Sequence, residues 1–242
     1  MTSNDLAPPT RALAIGAHPD DVEFGCGGTL AKWVAAGCEI HHLICTDGSK
    51  GSWSPDEDLA ALVATRQQEQ RAASVALGGR GDVVFLGWRD GELEAGLRQR
   101  SEVCYWIRRL RPDVVLGHDP WKRYRLHPDH RAAGFLVVDG IVAARDPHFF
   151  PEQDVAPHRP AKLLLWEADE PDHVEDIGGF LDAKLRALLA HQSQYVTTMR
   201  IDDHDSHEQV ERFEERMRAR AAEHGAFAEL AYGERFKLMA EL

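Results

Sequence analysis

Residues 12–23 read ALAIGAHPDDVE, an apolar run that stops at a turn dense in ionisable groups. The run over residues 12–17 has no polar side chain and reads as a buried strand. Residues 39–46 (EIHHLICT), 82–86 (DVVFL), 113–117 (DVVLG) and 162–167 (KLLLWE) read as further strands. Helical stretches at 27–36, 58–77, 97–110 and 128–144 fall between them, and two more follow at 179–191 and 206–224. Gly37 and Gly78-Gly79 stop two of these helices, Pro112 stops a third, and Pro128 opens the fourth. Strands alternating with helices predict an α/β fold with a mainly parallel sheet and helices on both faces. Residues 1–242 are expected to form a single domain, with 1–10 flexible and the Pro- and charge-rich 145–160 a surface excursion.

In such sheets ligands bind beyond the carboxyl ends of the strands. The ionisable residues sit there: His18-Pro19-Asp20-Asp21 after the first strand, Asp47-Gly48-Ser49 after the second, Gly87-Trp88-Arg89-Asp90 after the third, and His118-Asp119 onward to His130 after the fourth. Pro19 stiffens a turn in which His18 and Asp21 can converge while Asp20 points elsewhere. His127-Pro128-Asp129-His130 opens a helix about 110 residues later. Two histidines and one carboxylate with an open position form a catalytic zinc set. A spare carboxylate beside the metal can take a proton from water, and a spare histidine can stabilise or protonate a tetrahedral intermediate. Asp129 can hold a ring nitrogen and fix a tautomer.

Composition narrows the partners. The chain has 242 residues, a formal net charge of -12, 43% hydrophobic and 28% charged residues. That acidity repels nucleic acid and anionic lipid at long range. Cys26, Cys38, Cys45 and Cys104 form no CxxC pair, and three lie in apolar segments, so they read as small buried hydrophobes in a reducing compartment. The first residues, MTSNDLAPPTR, lack the apolar core of a signal peptide, and no apolar run approaches the ~20 residues of a membrane span. The expectation is a cytoplasmic protein with a small-molecule substrate, no nucleic acid and no membrane insertion, compatible with assembly as a homo-oligomer.

The motifs AHPDDVEFGCGGTLA and RLHPDHRAAG resemble those of the PIG-L/LmbE family of metal-dependent N-acetylglucosaminyl deacetylases. The resemblance extends through CTDGSKGS, TRQQEQRAASVALG, FLGWRDGELE and KLRALLAHQSQY, with a weaker echo in AYGERF, and so covers most of residues 11–195. It implies a Rossmann-like fold and a zinc enzyme, or one using another divalent metal such as Fe2+, that hydrolyses the N-acetyl or N-acyl amide of an amino sugar. It implies His18, Asp21 and His130 as metal ligands, Asp20 as general base, and His127 as the group that stabilises the oxyanion or protonates the leaving amine. Asp129 would tune His127, and Arg66 and Asp90 would touch the sugar. Two positions depart from the family pattern: Ser49 stands where a glutamate is common, and Arg125 where some members place a tyrosine.

Several residues have a plain structural reading beside the chemical one. Arg66 shares a helix with Glu69 and Arg71, where solvated ion pairs are common. Asp90-Gly91 is also a turn signal, and Glu23 is equally a metal-site support or a charge favoured at a helix start. His118 could line the pocket, and Trp53, Trp88 and Trp121 fall in loops at the same edge. His191 to Gln194 fit the family pattern without any chemistry following from them. An amidase of a sugar-thiol conjugate uses the same metal set, and an iron oxygenase uses the same ligand types. Gly25-Cys26-Gly27-Gly28 faintly suggests a nucleotide loop, but its spacing is wrong and carboxylates precede it.

Overall fold

The computed structural model describes residues 3–242, and among them eight strands form one sheet. In chain order the main elements are β1 (Ser3–Asn4), β2 (Arg11–Gly16), α1 (Asp21–Ala35), β3 (Glu39–Thr46), α2 (Leu59–Ala76), β4 (Val83–Trp88), α3 (Leu97–Leu110), β5 (Val114–His118), α4 (Pro128–Arg145), β6 (Lys162–Trp166), β7 (His173–Asp176), α5 (Leu181–Leu189), α6 (His207–Gly225) and β8 (Gly233–Ala240). The strand order is β1-β7-β8-β6-β5-β2-β3-β4, parallel except where β8 pairs with β6 and β7.

Strand periodicity divides the core in two. Leu13, Ile15, Val115 and Leu163 face one way and meet Val103 and Ile107 of α3 and Leu136 and Val137 of α4. Ala12, Ala14, Leu116 and Leu164 face the other way and meet Val22, Leu30 and Trp33 of α1 and Ala73 of α2. Helices therefore cover both faces, and the mainly parallel α/β sheet expected from the sequence is present. The chain runs outward from β2 through β3 to β4, then crosses back to place β5 on the other side of β2. The crevice between the ends of β2 and β5 is the switch point at which such sheets bind ligands.

Three strands were not foreseen. Ser3–Asn4 pairs with His173 and Val174, and Asp5 Oδ1 accepts from Lys32 Nζ at 2.7 Å, so residues 3–5 are tied to the sheet rather than loose. The part of the flexible-terminus expectation that falls on residues 1–2 lies outside the described residues. In β8 the charged Glu234, Arg235 and Lys237 interleave with apolar residues, and β7 is four residues long; neither looks like a continuous apolar run.

Helix α1 also begins earlier than the expected 27–36. The glycine-rich stretch marks a break inside the helix, where Cys26 leaves helical geometry at φ -148°. Gly25 is required there, because a Cβ on it would fall 2.5 Å from Cδ2 of the Trp166 indole. The first turn of α1 thus lies directly on the end of β6 and carries Asp21 into the crevice, while Glu23 is buried against Gln70 and His191. No helix among the described residues is long and apolar enough to cross a membrane.

Candidate active site

A cavity of 660 Å³ opens at the carboxyl ends of β2 to β6, and His18, Asp20, Asp21, His127 and His130 line it. His18 follows β2 and is buried, with its two ring nitrogens in different company. Nε2 lies 3.2 Å from Asp129 Oδ2 and 3.2 Å from Asp90 Oδ1. Nδ1 lies 3.3 Å from Asp21 Oδ2 and 3.2 Å from His130 Nε2. Carboxylates only accept, and both nitrogens face them, two at Nε2 and one at Nδ1; in the neutral ring with the proton on Nε2, Nδ1 carries the lone pair. His130 Nε2 in turn lies 3.2 Å from the other Asp21 oxygen, Oδ1.

This spacing has a direct meaning. Ligand bonds of about 2.0–2.1 Å at tetrahedral angles put donor atoms about 3.3 Å apart. His18 Nδ1 and His130 Nε2 stand 3.2 Å apart, and each meets a different oxygen of Asp21, Oδ2 at 3.3 Å and Oδ1 at 3.2 Å. Overlapping groups with metal-ligand donors within 4.8 Å are His18–His127–His130, Asp21–His118–His130 and His18–Asp90–Asp129. His18 and His130 recur among them, and the third is explained by hydrogen bonds to His18.

The surrounding charges follow from the same contacts. Burial disfavours a charged His18, but hydrogen bonds with Asp129, Asp21 and Asp90 outweigh it and hold its pKa well above the ordinary value. Burial likewise opposes charge on Asp21, yet His130 and His118 hold its carboxyl well below the usual range. Asp20 differs from its neighbour: burial, with the Asp21 charge adding, outweighs Arg66 and pushes it up to about 6. Asp90 is brought down to about 2, burial being overcome by the His18 hydrogen bond, the His18 charge, the Lys50 amide and Arg66.

The second histidine cluster comes from the start of α4. His127 is its N-cap residue and stands on the exposed side of the cavity, its ring 4.6 Å from that of His18 and 4.7 Å from that of His130. Burial, then His18 and His130, lower its pKa, so the ring rests neutral. Asp129 points inward and reaches His18 rather than His127, while accepting from the Gly91 amide at 2.6 Å and the Leu93 amide at 3.2 Å. A helix N-terminus turned toward the sheet explains this: His127 and Asp129 leave the first turn in different directions.

Arg66 and Asp90 both line the cavity; Asp90 and the two Nη atoms of Arg66 are engaged with protein, while Arg66 Nε has no partner among the described residues. Arg66 donates to the Gly48 carbonyl at 2.8 Å and the Pro19 carbonyl at 2.7 Å, bridging the loops after β3 and β2. Asp90 meets His18 and accepts from the Lys50 amide at 3.0 Å, and its own amide donates to Asp47 at 3.1 Å.

His118 and Arg125 carry more weight than the sequence reading gave them. His118 Nε2 lies 3.2 Å from Asp21 Oδ2, and its ring stacks on His130 with centroids 4.4 Å apart. The Trp166 indole donates to His118 Nδ1 at 3.0 Å, which makes Nε2 the protonated nitrogen. Arg125 is buried with Nη1 3.1 Å from His118 Nδ1 and 3.3 Å from His130 Nδ1. Only the position of His118 directly after an apolar strand signalled it; nothing local marks Arg125 as buried.

The parallel sheet, its switch point and a His/Asp cluster at metal-ligand spacing define an α/β enzyme with a metal-type site. The chain belongs to the family described as PIG-L: GlcNAc-PI de-N-acetylase, whose model matches residues 13–141. A diacetylchitobiose deacetylase of Thermococcus kodakarensis is 34% identical over 188 residues, covering 76% of this chain and 70% of that protein. A 1D-myo-inositol 2-acetamido-2-deoxy-alpha-D-glucopyranoside deacetylase of Actinosynnema mirum is 30% identical over 234 residues, covering 78% of this chain and 82% of that protein. Among solved structures, N,N'-diacetylchitobiose deacetylase from Pyrococcus horikoshii in complex with an inhibitor matches with a TM-score of 0.86 at 29% identity, covering 96% of this chain and 84% of that one.

Proposed function

We propose that this protein is a metal-dependent hydrolase that removes the N-acetyl group from an N-acetylglucosamine-type amino sugar, with zinc held by His18, Asp21 and His130. The carrying observation is the convergence of His18, His130 and both oxygens of Asp21 at spacings of 3.2 to 3.3 Å, beside a further buried carboxylate, Asp20. Family membership and the named activities of the relatives support the reaction class. The buried, free cysteines support a reducing, cytoplasmic setting. Fe2+ suits the same donors.

A divalent cation bound there supplies Lewis acidity, polarising the amide carbonyl and easing ionisation of a water. Asp20, with a pKa near 6, takes a proton from the attacking water at neutral pH. The water oxygen bonds to the carbonyl carbon and the carbonyl oxygen becomes an oxyanion. His127, neutral and on the open side, donates a hydrogen bond to that oxyanion. The C–N bond then breaks as Asp20 returns its proton to the nitrogen, the new acid's hydroxyl gives up the water's second proton to the amine, and acetate and the protonated amine result. His118 and Asp129 hold Asp21 and His18 in orientation. The relatives named for diacetylchitobiose and for an inositol glycoside support a substrate carrying a second moiety, such as another sugar or a polyol.

The test is metal content together with acetate release. Protein stripped of metal and reloaded with zinc is offered N-acetylglucosamine, diacetylchitobiose and N-acetylglucosaminyl inositol. One bound equivalent and metal-dependent acetate release are expected, with the larger substrates turned over faster. Wild-type protein that binds no metal, or release that ignores metal, overturns the reading.

A further inference from the structure

Asp20 has an unusual backbone. Its φ is 96° and its ψ -27°, in a region that side-chain-bearing residues rarely occupy. Two residues of α2 act on the peptide group that sets this conformation. Arg66 Nη2 donates to the Pro19 carbonyl at 2.7 Å, and the Asp20 amide donates to Gln70 Oε1 at 3.0 Å. That carbonyl and that N–H belong to one peptide plane. Arg66 and Gln70 are four positions apart on a helix, hence one above the other on one face. They hold the plane by both its polar ends.

Gln70 is itself held. It is fully buried, and its Nε2 donates to Glu23 Oε1 at 2.7 Å. Glu23, also fully buried, has its other oxygen 3.3 Å from His191 Nε2. A backbone N–H can only donate, so Gln70 meets Asp20 with its amide oxygen and turns its NH2 to Glu23.

We propose that Gln70 is a positioning residue for the reaction: by gripping the Asp20 N–H it keeps the 19–20 peptide from turning over, and so keeps the Asp20 carboxylate directed at the reacting water. This rests on the reading of Asp20 as general base. Without the acceptor at position 70, the peptide relaxes toward an ordinary negative φ and the carboxylate swings with it. Gln70 touches neither substrate nor metal in this account.

The test uses the full, zinc-reloaded protein. Gln70→Met keeps length and removes the acceptor. It is expected to lower kcat by about 10- to 100-fold, the cost of misplacing a catalytic group by about 1 Å. KM and zinc stoichiometry should stay at wild-type values, while hydrogen exchange at the Asp20 amide speeds up. In an Asp20→Asn background the same substitution should cost nothing further in kcat. The paired exchange Gln70→Glu with Glu23→Gln reverses the amide and the carboxylate, preserves both hydrogen bonds and should restore most of kcat. Full kcat in Gln70→Met, an undiminished loss in the Asp20→Asn background, or no rescue by the paired exchange overturns the proposal. Failure of the underlying reading looks different: Asp20→Asn alone would then keep full activity.

Discussion

His18 and Asp129 stand 111 positions apart in the chain and meet with Nε2 3.2 Å from Oδ2. In the proposed metal site this contact leaves Nδ1 of His18 as the ligating nitrogen. Asp129 can do this because the Gly91 and Leu93 amides also donate to it and fix its carboxylate. Removing the carboxylate with Asp129→Ala leaves the ring free to turn or change tautomer. Zinc affinity is expected to fall about 10- to 100-fold, the usual effect of losing a group that orients a ligand. Competition with a chromophoric chelator measures it, and unchanged affinity would remove Asp129 from this role.

Gly25 lies against Trp166, whose indole nitrogen in turn holds His118. Gly25→Ala places a methyl group 2.5 Å from a ring carbon, closer than contact allows. The indole or the first turn of α1 must shift, and the expected loss of stability is about 1–3 kcal/mol. Urea unfolding followed by tryptophan fluorescence reads it directly. A stability equal to wild type would show that the turn has room to spare.

The contrast between these contacts and the sequence motifs shows what could be read in advance. Strands β2, β5 and β6 are buried and advertise it as apolar runs. β8 is not legible that way, because Glu234, Arg235 and Lys237 alternate with Phe236 and Leu238. The HPDD and HPDH clusters were legible because several ionisable groups crowd short turns after strands. Their partners were not. Asp129 meets His18 rather than its neighbour His127, and Arg66 holds Pro19 and Gly48, because loop closure between distant elements decides those contacts. His118 was suggested only by its place at a strand end.

The strand that escaped notice does structural work through one charge pair. Glu234 of β8 accepts from the Gly28 and Thr29 amides just past the break in α1. Lys184 of α5 donates to the same carboxylate at 2.6 Å. Both side chains are nearly buried, so deleting one partner leaves the other charge uncompensated. Lys184→Met is expected to cost about 3–5 kcal/mol. Adding Glu234→Gln should recover part of the loss, since the amide oxygen still accepts from the helix while the buried charge disappears. Calorimetry of the single and double variants distinguishes these cases. A single variant within 1 kcal/mol of wild type, on the order of a surface pair, would place this contact among surface ion pairs.

His224, near the end of α6, makes stability depend on pH. Burial, then the Arg235, Arg220 and Lys184 charges, bring its pKa down to about 3 in the folded protein. Unfolded, the imidazole titrates near about 6.5. Between those values the unfolded chain binds the proton and the folded chain does not, so stability declines as pH falls from 6.5 toward 3. A fully buried group would cost about 2 kcal/mol at pH 5, and solvent screening of this half-buried ring reduces that to about 1 kcal/mol. His224→Gln cannot take up a proton in either state. The variant should therefore lose less stability than wild type between pH 7.5 and pH 5, by about 1 kcal/mol in urea titrations at the two pH values. Parallel losses in the two proteins would mean that His224 is already free to protonate in the fold.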